Sequence, residues 1–269
     1  MAPVFVLTIF IAVLCSVQGR STGKASLERS EEDMEIDSTR TNSIEEEDFS
    51  ASTLIEKANR NLGKRLDEPL VMFGDIAVNT GFMNADPCTA HTCKWPKSSN
   101  GNVYVPYVIS NQYSSTCVRF FPRTNQRDFV DIQSLSGCYS YVGRQKNGQV
   151  VSLNRNGCVH LSVVQHELLH ALGFNHEHSR IDRDSHVQIL TQNILPGMES
   201  NFDKVDTINL GTPYDYNSVM QYSRFAFSKN NQPTILPIPD NNAVIGQATQ
   251  MSPMDILRIN RLYKCVQVD

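Results

Sequence analysis

The chain has 269 residues, of which 40% are hydrophobic, enough to build the core of one mid-sized domain with a short appendage. Its formal net charge of -4 excludes a strongly basic nucleic-acid-binding protein. Its mean hydropathy is -0.31, and no apolar run reaches the roughly 18 residues that a spanning helix needs. We therefore expect neither nucleic acid nor a membrane among its partners.

Charge divides the chain near residue 83. Residues 1–83 carry 8 lysines and arginines against 14 acidic residues, whereas 84–269 carry 16 against 14. An apolar run from Val4 to Cys15 opens the chain, and small residues follow it, an order typical of a secretory signal peptide over 1–19. A buried core helix is the alternative, but the run lies next to the initiator methionine.

Acidic residues dominate the segment after the apolar run. Ten of the 21 residues from 28 to 48 are acidic, too many to bury enough apolar surface for a stable fold, so a solvated spacer is expected. Order is predicted to return in a short helix at 54–58 and again at 70–73. Without the leader, six cysteines remain, which predicts three disulfide bonds in a secreted protein and leaves their connectivity open.

The strongest signal is the run HELLHALGFNH, from His166 to His176. It lies on a predicted helix, where His166 and His170 project from one face and can share a metal ion. Gly173 is able to end the helix with a positive φ and turn the chain so that His176 approaches as a third ligand. Glu167 lies beside the ligands without blocking them.

Three imidazoles with a position left for water describe a catalytic zinc site, with one Zn²⁺ per subunit. A structural zinc site is more often closed by thiolates. In the catalytic reading, zinc acidifies the water, Glu167 accepts its proton, and the resulting nucleophile attacks a polarised carbonyl. The residues therefore predict a metal-dependent hydrolase, and the five fixed positions of the motif make a chance match negligible.

The longer run HELLHALGFNHEHSRIDRD resembles the signature of the astacin family of metzincin peptidases. Downstream, SVMQY resembles the Met-turn of that family. The resemblance implies an α+β, two-subdomain fold with an N-terminal twisted sheet and an active-site helix. It also implies that Met220 forms an apolar floor under the metal and that Tyr222 moves to hydrogen-bond the oxyanion during turnover.

The tripeptide Phe73-Gly74-Asp75 resembles the latency motif of the same family. By that resemblance, Asp75 binds zinc in place of the catalytic water, and residues 20–83 form an acidic propeptide that inhibits its own enzyme. Activation would cut near Asn84, leaving an astacin-like peptidase domain at 84–269. The new amino terminus would then fold inward toward Glu177.

The cysteine framework resembles that of the six-cysteine astacins of fish, whose best-known members are hatching enzymes. That resemblance implies the pairs Cys88–Cys93, Cys117–Cys265 and Cys138–Cys158. It further implies secretion through zymogen granules and a substrate among egg-envelope glycoproteins. Another secreted six-cysteine astacin with a different substrate remains the alternative.

The segment 137–143 resembles the rim of the family's cleft, which pairs with extended substrate; a disulfide-anchored strand is the alternative.

The sequence departs from the family pattern upstream of this segment. Only seven residues, 110–116, link two predicted strands at 103–109 and 117–121. Family members connect these strands through a helix, and a parallel crossover takes roughly a dozen or more residues.

We therefore predict that the usual first crossover helix is missing, and that the two strands pair antiparallel or are not neighbours. Loss of the helix is expected to expose apolar surface and to lower stability more than it changes the zinc site. The chain is then a defective product, a functional variant with a repaired sheet, or a non-catalytic zinc-binding protein.

Overall fold

The computed structural model describes residues 50–62, 68–78, 94–99, 101, 103–107 and 115–265. Five sequence predictions lie wholly or mostly outside the described residues: the signal peptide 1–19, the acidic run 28–48, the activation site near Asn84, the Cys88–Cys93 pair and the missing crossover helix at the 110–116 link. Among the described residues, no helix has both the length and the apolar character that crossing a membrane requires.

The described residues form helices and short strands in a mixed arrangement. The helices are α1 (Ala51–Asn59), α2 (Leu161–Ala171) and α3 (Pro253–Leu262). The strands are β1 (Leu70–Met72), β2 (Ile76–Val78), β3 (Val103–Tyr107), β4 (Val118–Pro122), β5 (Val130–Gln133), β6 (Cys138–Ser140), β7 (Gln149–Leu153), β8 (Val187–Ile189) and β9 (Ile235–Pro237). A mixed five-stranded sheet, two two-stranded sheets and few helices fit the predicted α+β class, which is confirmed.

The main sheet has the strand order β1-β2-β6-β7-β5. β1 and β2 form an antiparallel hairpin, and β2 runs parallel to β6 with Ile76 opposite Ser140. β7 pairs antiparallel with β6 and parallel with β5. The hairpin therefore extends the sheet beyond β6, so the segment that carries Asp75 is built into the fold.

The prediction that the strands on either side of the short link cannot pair in parallel is wrong. β3 and β4 run parallel, in a register that extends from Val103 opposite Val118 to Tyr107 opposite Pro122. Val103, Val105 and Val118 are all buried in the main core. β3 and β4 therefore form a parallel pair despite the short link between them.

The physical reason is that a return connection needs reach and does not need a helix. β3 ends at Tyr107 and β4 begins at Val118, so ten residues are available. Ten residues span up to roughly 33–36 Å, well beyond the length of a five-residue strand. The start of β4 is held by the Cys117–Cys265 disulfide and by Asn260 Nδ2, which donates to Ser115 O at 3.0 Å.

Helix α2 packs against the main sheet and connects it to the residues that follow the helix, 172–265, here called the C-terminal half. Gly143 N–H, just beyond β6, donates to the carbonyl of His170 at 2.8 Å. At the same C-terminal end of α2, Trp95 Nε1 donates to Ala171 O at 2.9 Å and Tyr263 Oη donates to Leu172 O at 2.8 Å. The Cys138–Cys158 disulfide joins β6 to the loop before α2. Both halves of the molecule therefore position this helix.

Candidate active site

Helix α2 places the first two histidines of the motif on one buried face. His166 and His170 are four residues apart, about one helical turn, and are at most 1% exposed. The helix ends at Ala171, and Gly173 adopts a φ of +106°, which a residue without Cβ tolerates best. The chain then turns back and buries His176. His166 Nε2 lies 3.1 Å from His170 Nε2 and 3.2 Å from His176 Nε2.

The other ring nitrogens explain why these Nε2 atoms point at one another. His166 Nδ1 donates to Val219 O at 2.8 Å, and His170 Nδ1 donates to Phe174 O at 2.7 Å. A neutral imidazole carries one N–H, so these bonds leave lone pairs on both Nε2 atoms. Converging lone pairs repel each other unless a cation lies between them, and the geometry therefore favours a bound metal.

Asp75 is the fourth group at this point. Its Oδ2 lies 2.9 Å from His166 Nε2, and its Oδ1 lies 3.0 Å from His176 Nε2 and 3.4 Å from His170 Nε2. Burial by itself raises the pKa of Asp75, but the Coulomb interaction with the three histidines outweighs burial and holds that pKa well below its usual range. The carboxyl is therefore ionised and able to bind a cation.

The four groups fit zinc in both chemistry and spacing. Three imidazole nitrogens and one carboxylate oxygen are donors that zinc accepts, and all four residues are buried. Ligands at about 2.0–2.1 Å from a tetrahedral ion lie about 3.3 Å from one another, close to the separations found here. His166, His170, His176 and Asp75 are therefore placed so that together they could hold one zinc ion.

Glu167 is completely buried beside the ligands. Neither of its carboxyl oxygens has a hydrogen-bond partner among the described residues. Burial is the main cause that raises the pKa of Glu167 well above its usual value, and the negative charge of Asp75 adds to the effect.

The turn that contains Met220 depends on α3 for its position. Met220 is buried, and its carbonyl accepts the backbone N–H of Glu177 at 2.9 Å. Asp255, near the start of α3, accepts from Ser218 Oγ at 2.6 Å and from Val219 N–H at 3.0 Å. Asp255 thereby fixes the turn whose carbonyl orients His166. Sequence reasoning missed it.

Glu177 is buried and bound by two arginines. Arg258 donates to both carboxylate oxygens, at 2.6 and 2.8 Å, and Arg180 Nη1 lies 3.2 Å away. Asp215 N–H adds a bond at 2.7 Å. Burial raises the pKa of Glu177, and Arg258 opposes that increase. Arg258 was also missed, although its spacing of three from Asp255 places both on one face of α3.

Tyr222 lies against the third histidine. Its ring centroid is 4.7 Å from that of His176 and 3.9 Å from that of His178, on which it stacks at 30°. Its hydroxyl donates to the carbonyl of Phe73. Burial raises the pKa of Tyr222 well above its usual value, so the phenol keeps its proton and is able to donate a hydrogen bond.

Comparison with known proteins assigns the class. Residues 97–264 match the family model described as Astacin (Peptidase family M12A). The chain belongs to the astacin family and is a zinc metalloendopeptidase, whose one zinc the buried histidine cluster is suited to bind. The predicted family, enzyme class and cofactor are thereby confirmed.

Fish choriolytic enzymes are among the relatives found. The chain is 45% identical to the low choriolytic enzyme of Oryzias latipes over 252 residues, which is 87% of this chain and 91% of the relative. It is 47% identical to high choriolytic enzyme 1 of the same fish over 215 residues, 74% of this chain and 79% of the relative.

A solved structure of high choriolytic enzyme 1, described as a hatching enzyme zinc-protease, matches with 48% identity and a TM-score of 0.64. The match covers 68% of this chain and all of that one. The predicted resemblance to hatching enzymes is confirmed.

Proposed function

We propose that this endopeptidase is made as a latent precursor, is secreted through zymogen granules, and digests egg-envelope glycoproteins at hatching. In this proposal 1–19 is a signal peptide, 20–83 a propeptide and 84–269 the peptidase domain. The proposal of latency rests on the position of Asp75. This residue lies outside the family match at 97–264, and its carboxylate oxygens lie within 3.4 Å of all three histidine Nε2 atoms.

In the processed enzyme, His166, His170 and His176 would hold the zinc ion. When bound, zinc supplies Lewis-acid chemistry, lowering the pKa of a coordinated water toward about 7 and polarising a carbonyl. Glu167 then takes the proton of the attacking water and passes it to the leaving amine nitrogen. The hydroxyl of Tyr222 donates a hydrogen bond to the oxyanion that develops on the scissile carbonyl.

In the proposed precursor, the segment around Asp75 blocks both the water position at the metal site and the hydroxyl of Tyr222. Asp75 takes the place that water needs, and the carbonyl of Phe73 accepts the hydroxyl of Tyr222. Gly74 makes the close approach feasible, because a Cβ there would lie 2.7 Å from Tyr222 Oη. The tripeptide Phe73-Gly74-Asp75 therefore blocks the water position at the metal site and also engages the hydroxyl that is proposed to bind the oxyanion.

Helix α1 attaches the same segment to the C-terminal half. Ser52 Oγ accepts the N–H of Ser223 at 2.9 Å, and Glu56 Oε1 accepts the N–H of Phe227 at 3.1 Å. Ile55, on the same side of α1, is buried in the main core. These contacts involve neither the histidines nor zinc.

Asn59, the last residue of α1, attaches the segment to the sheet. Its amide donates to Gly74 O at 2.8 Å and to Cys138 O at 2.6 Å, and its Oδ1 accepts Cys138 N–H at 2.6 Å. Helix α1 therefore bridges the sheet and the C-terminal half above the site. This bridge supports the proposal that the propeptide inhibits the enzyme both by blocking the cleft and by binding at the metal site.

Activation has a space available beside the site. A cavity of about 330 Å³ is bounded by Gly173, Glu177, Arg258 and Arg261 among others. An amino terminus released near Asn84 would enter this cavity and approach Glu177. Since Arg258 already binds both oxygens of Glu177, the new ammonium group would join an existing ion pair.

The egg-envelope substrate is inferred from the choriolytic names of the relatives and from identities of 45–47% to them. Another secreted six-cysteine astacin with a different substrate is the competing function. A non-catalytic zinc-binding protein was suggested by the short link alone. The parallel β3–β4 pairing removes that reason.

The test compares precursor and processed protein. We expect the precursor to leave isolated egg envelopes intact, and the processed enzyme to solubilise them while Glu167→Gln binds zinc but does not. Equal digestion by precursor and processed enzyme would contradict latency. Expression in adult kidney or blood-forming tissue, with none in a hatching gland, would favour the competing function.

A further inference from the structure

A small apolar cluster contains the two residues that flank Gly74-Asp75. Its buried members are Phe73, Ile76 and Val205, at 6%, 4% and 7% exposure, and Val142 packs against them. Phe73 and Ile76 belong to the segment that carries Asp75. Val142 follows β6, whereas Val205 belongs to the C-terminal half. The two valines are thus the parts of this cluster that remain when the segment leaves.

Both valines are held by the segments that carry the zinc ligands. The N–H of Val205 donates to Ser179 O at 2.8 Å, three residues after the last histidine ligand. Gly143, next to Val142, donates its N–H to His170 O at the same distance. Backbone bonds to such buried segments keep the valines in place, so the surface is preformed.

The positions of Phe73 and Ile76 relative to Asp75 indicate how far the apolar cluster lies from the peptide bond that would be cleaved. Asp75 lies at the metal, Phe73 is two residues before it and Ile76 one residue after it. Ser140 N–H donates to Asp75 O at 3.0 Å, so the β6 edge already binds a peptide backbone here. A substrate bound along this edge would place a side chain against the valines within two residues of its scissile bond.

We infer that Val142 and Val205 form an apolar subsite that selects peptides with a large aliphatic or aromatic side chain within two residues of the cleaved bond. The inference depends on the proposed release of the propeptide, because Phe73 and Ile76 fill the subsite in the precursor.

The test uses the processed enzyme and fluorogenic peptides that differ only in one residue, Phe, Ala, Asp or Lys, at each of two positions on either side of the scissile bond. We expect kcat/KM to be about tenfold or more higher for Phe than for Ala at one position. Val205→Asp is expected to remove that preference and to favour Lys there. Val205→Ala, a milder change, is expected to reduce it.

Val244→Asp is the matched control, because Val244 is 59% exposed and lies outside the cluster. We expect it to keep the wild-type profile. An unchanged profile in both Val205 variants, or a wild-type enzyme with no apolar preference at any tested position, would overturn the subsite. A precursor as active as the processed enzyme would overturn the release of the propeptide instead, and the subsite with it, so the two failures are distinguishable.

Discussion

The hydroxyl of Tyr222 donates a hydrogen bond to the backbone carbonyl of Phe73, 149 residues earlier in the chain. Asp75, two residues after Phe73, lies among the three histidines that could bind a metal. A single turn between β1 and β2 therefore engages both the metal ligands and the tyrosine beside them. This arrangement leads to predictions that separate the metal contact from the other contacts of the segment.

Replacing Asp75 by Ala is expected to raise the basal peptidase activity of the precursor. The carboxylate makes the charged contacts at the metal, and losing a contact of this kind is worth about 1.5–3 kcal/mol, or roughly ten- to a hundredfold in activity. Asp240→Ala, at an exposed turn, is the control and is expected to leave the precursor latent. Activity is measured with a fluorogenic peptide before processing.

Replacing Gly74 by Ala is expected to loosen the segment without changing any polar group. The new Cβ would lie 2.7 Å from Tyr222 Oη and 3.0 Å from Phe227 Cζ, at a φ of +83°. Gly197→Ala is a matched control, because Gly197 has a φ of +87° and nothing within 4 Å of the added Cβ. Backbone strain costs about 1–3 kcal/mol at either position. Only Gly74→Ala is expected to raise basal activity; equal activation by both would contradict the clash.

Replacing Asn59 by Ala removes three hydrogen bonds from the end of α1. Leaving the backbone groups of Cys138 unpaired costs about 1–3 kcal/mol, so we expect partial activation of the precursor even though Asp75 is intact. Lys57→Ala, at an exposed position of the same helix, is the control. Full latency of Asn59→Ala would show that the metal contact alone is sufficient.

Replacing Arg258 by Met leaves the buried carboxylate of Glu177 without its bidentate partner. Breaking a buried ion pair in this way costs about 3–5 kcal/mol, and we expect a matching loss in the free energy of unfolding. Arg261→Met is the control, because that guanidinium is exposed and, among the residues that the structure describes, donates to the carbonyls of Leu210 and Gly211 and to no carboxylate. Denaturant titration measures both. Equal losses would show that the ion pair does not stabilise the fold.

Zinc removal is expected to lower the melting temperature of the processed enzyme, because three Nε2 atoms then face one another without a cation. Zinc at a hundredfold excess over its Kd is expected to restore about 2.7 kcal/mol. His170→Ala is expected to lose this dependence, whereas His160→Ala, outside the cluster, is expected to keep it. Zinc titration followed by thermal unfolding provides the measurement.

The sequence by itself determined the local part of the site. The i, i+4 spacing of His166 and His170 places both on one helical face whatever surrounds the helix, and Gly173 allows the turn that brings in His176. These features depend on contacts within eleven residues, so a motif was sufficient to predict them. The resemblance to a family further placed Asp75 and Tyr222 near the metal, which spacing alone does not show.

Only the tertiary structure decided the long-range relationships. Asp255 and Arg258 look like ordinary charged residues on a helix surface, and their partners lie 36–81 residues away in the chain. The β3–β4 pairing was predicted wrongly because loop length sets an upper limit on reach and does not determine direction. Direction was decided by burial of Val103, Val105 and Val118 in a core shared with distant helices, a collective property that no local pattern encodes.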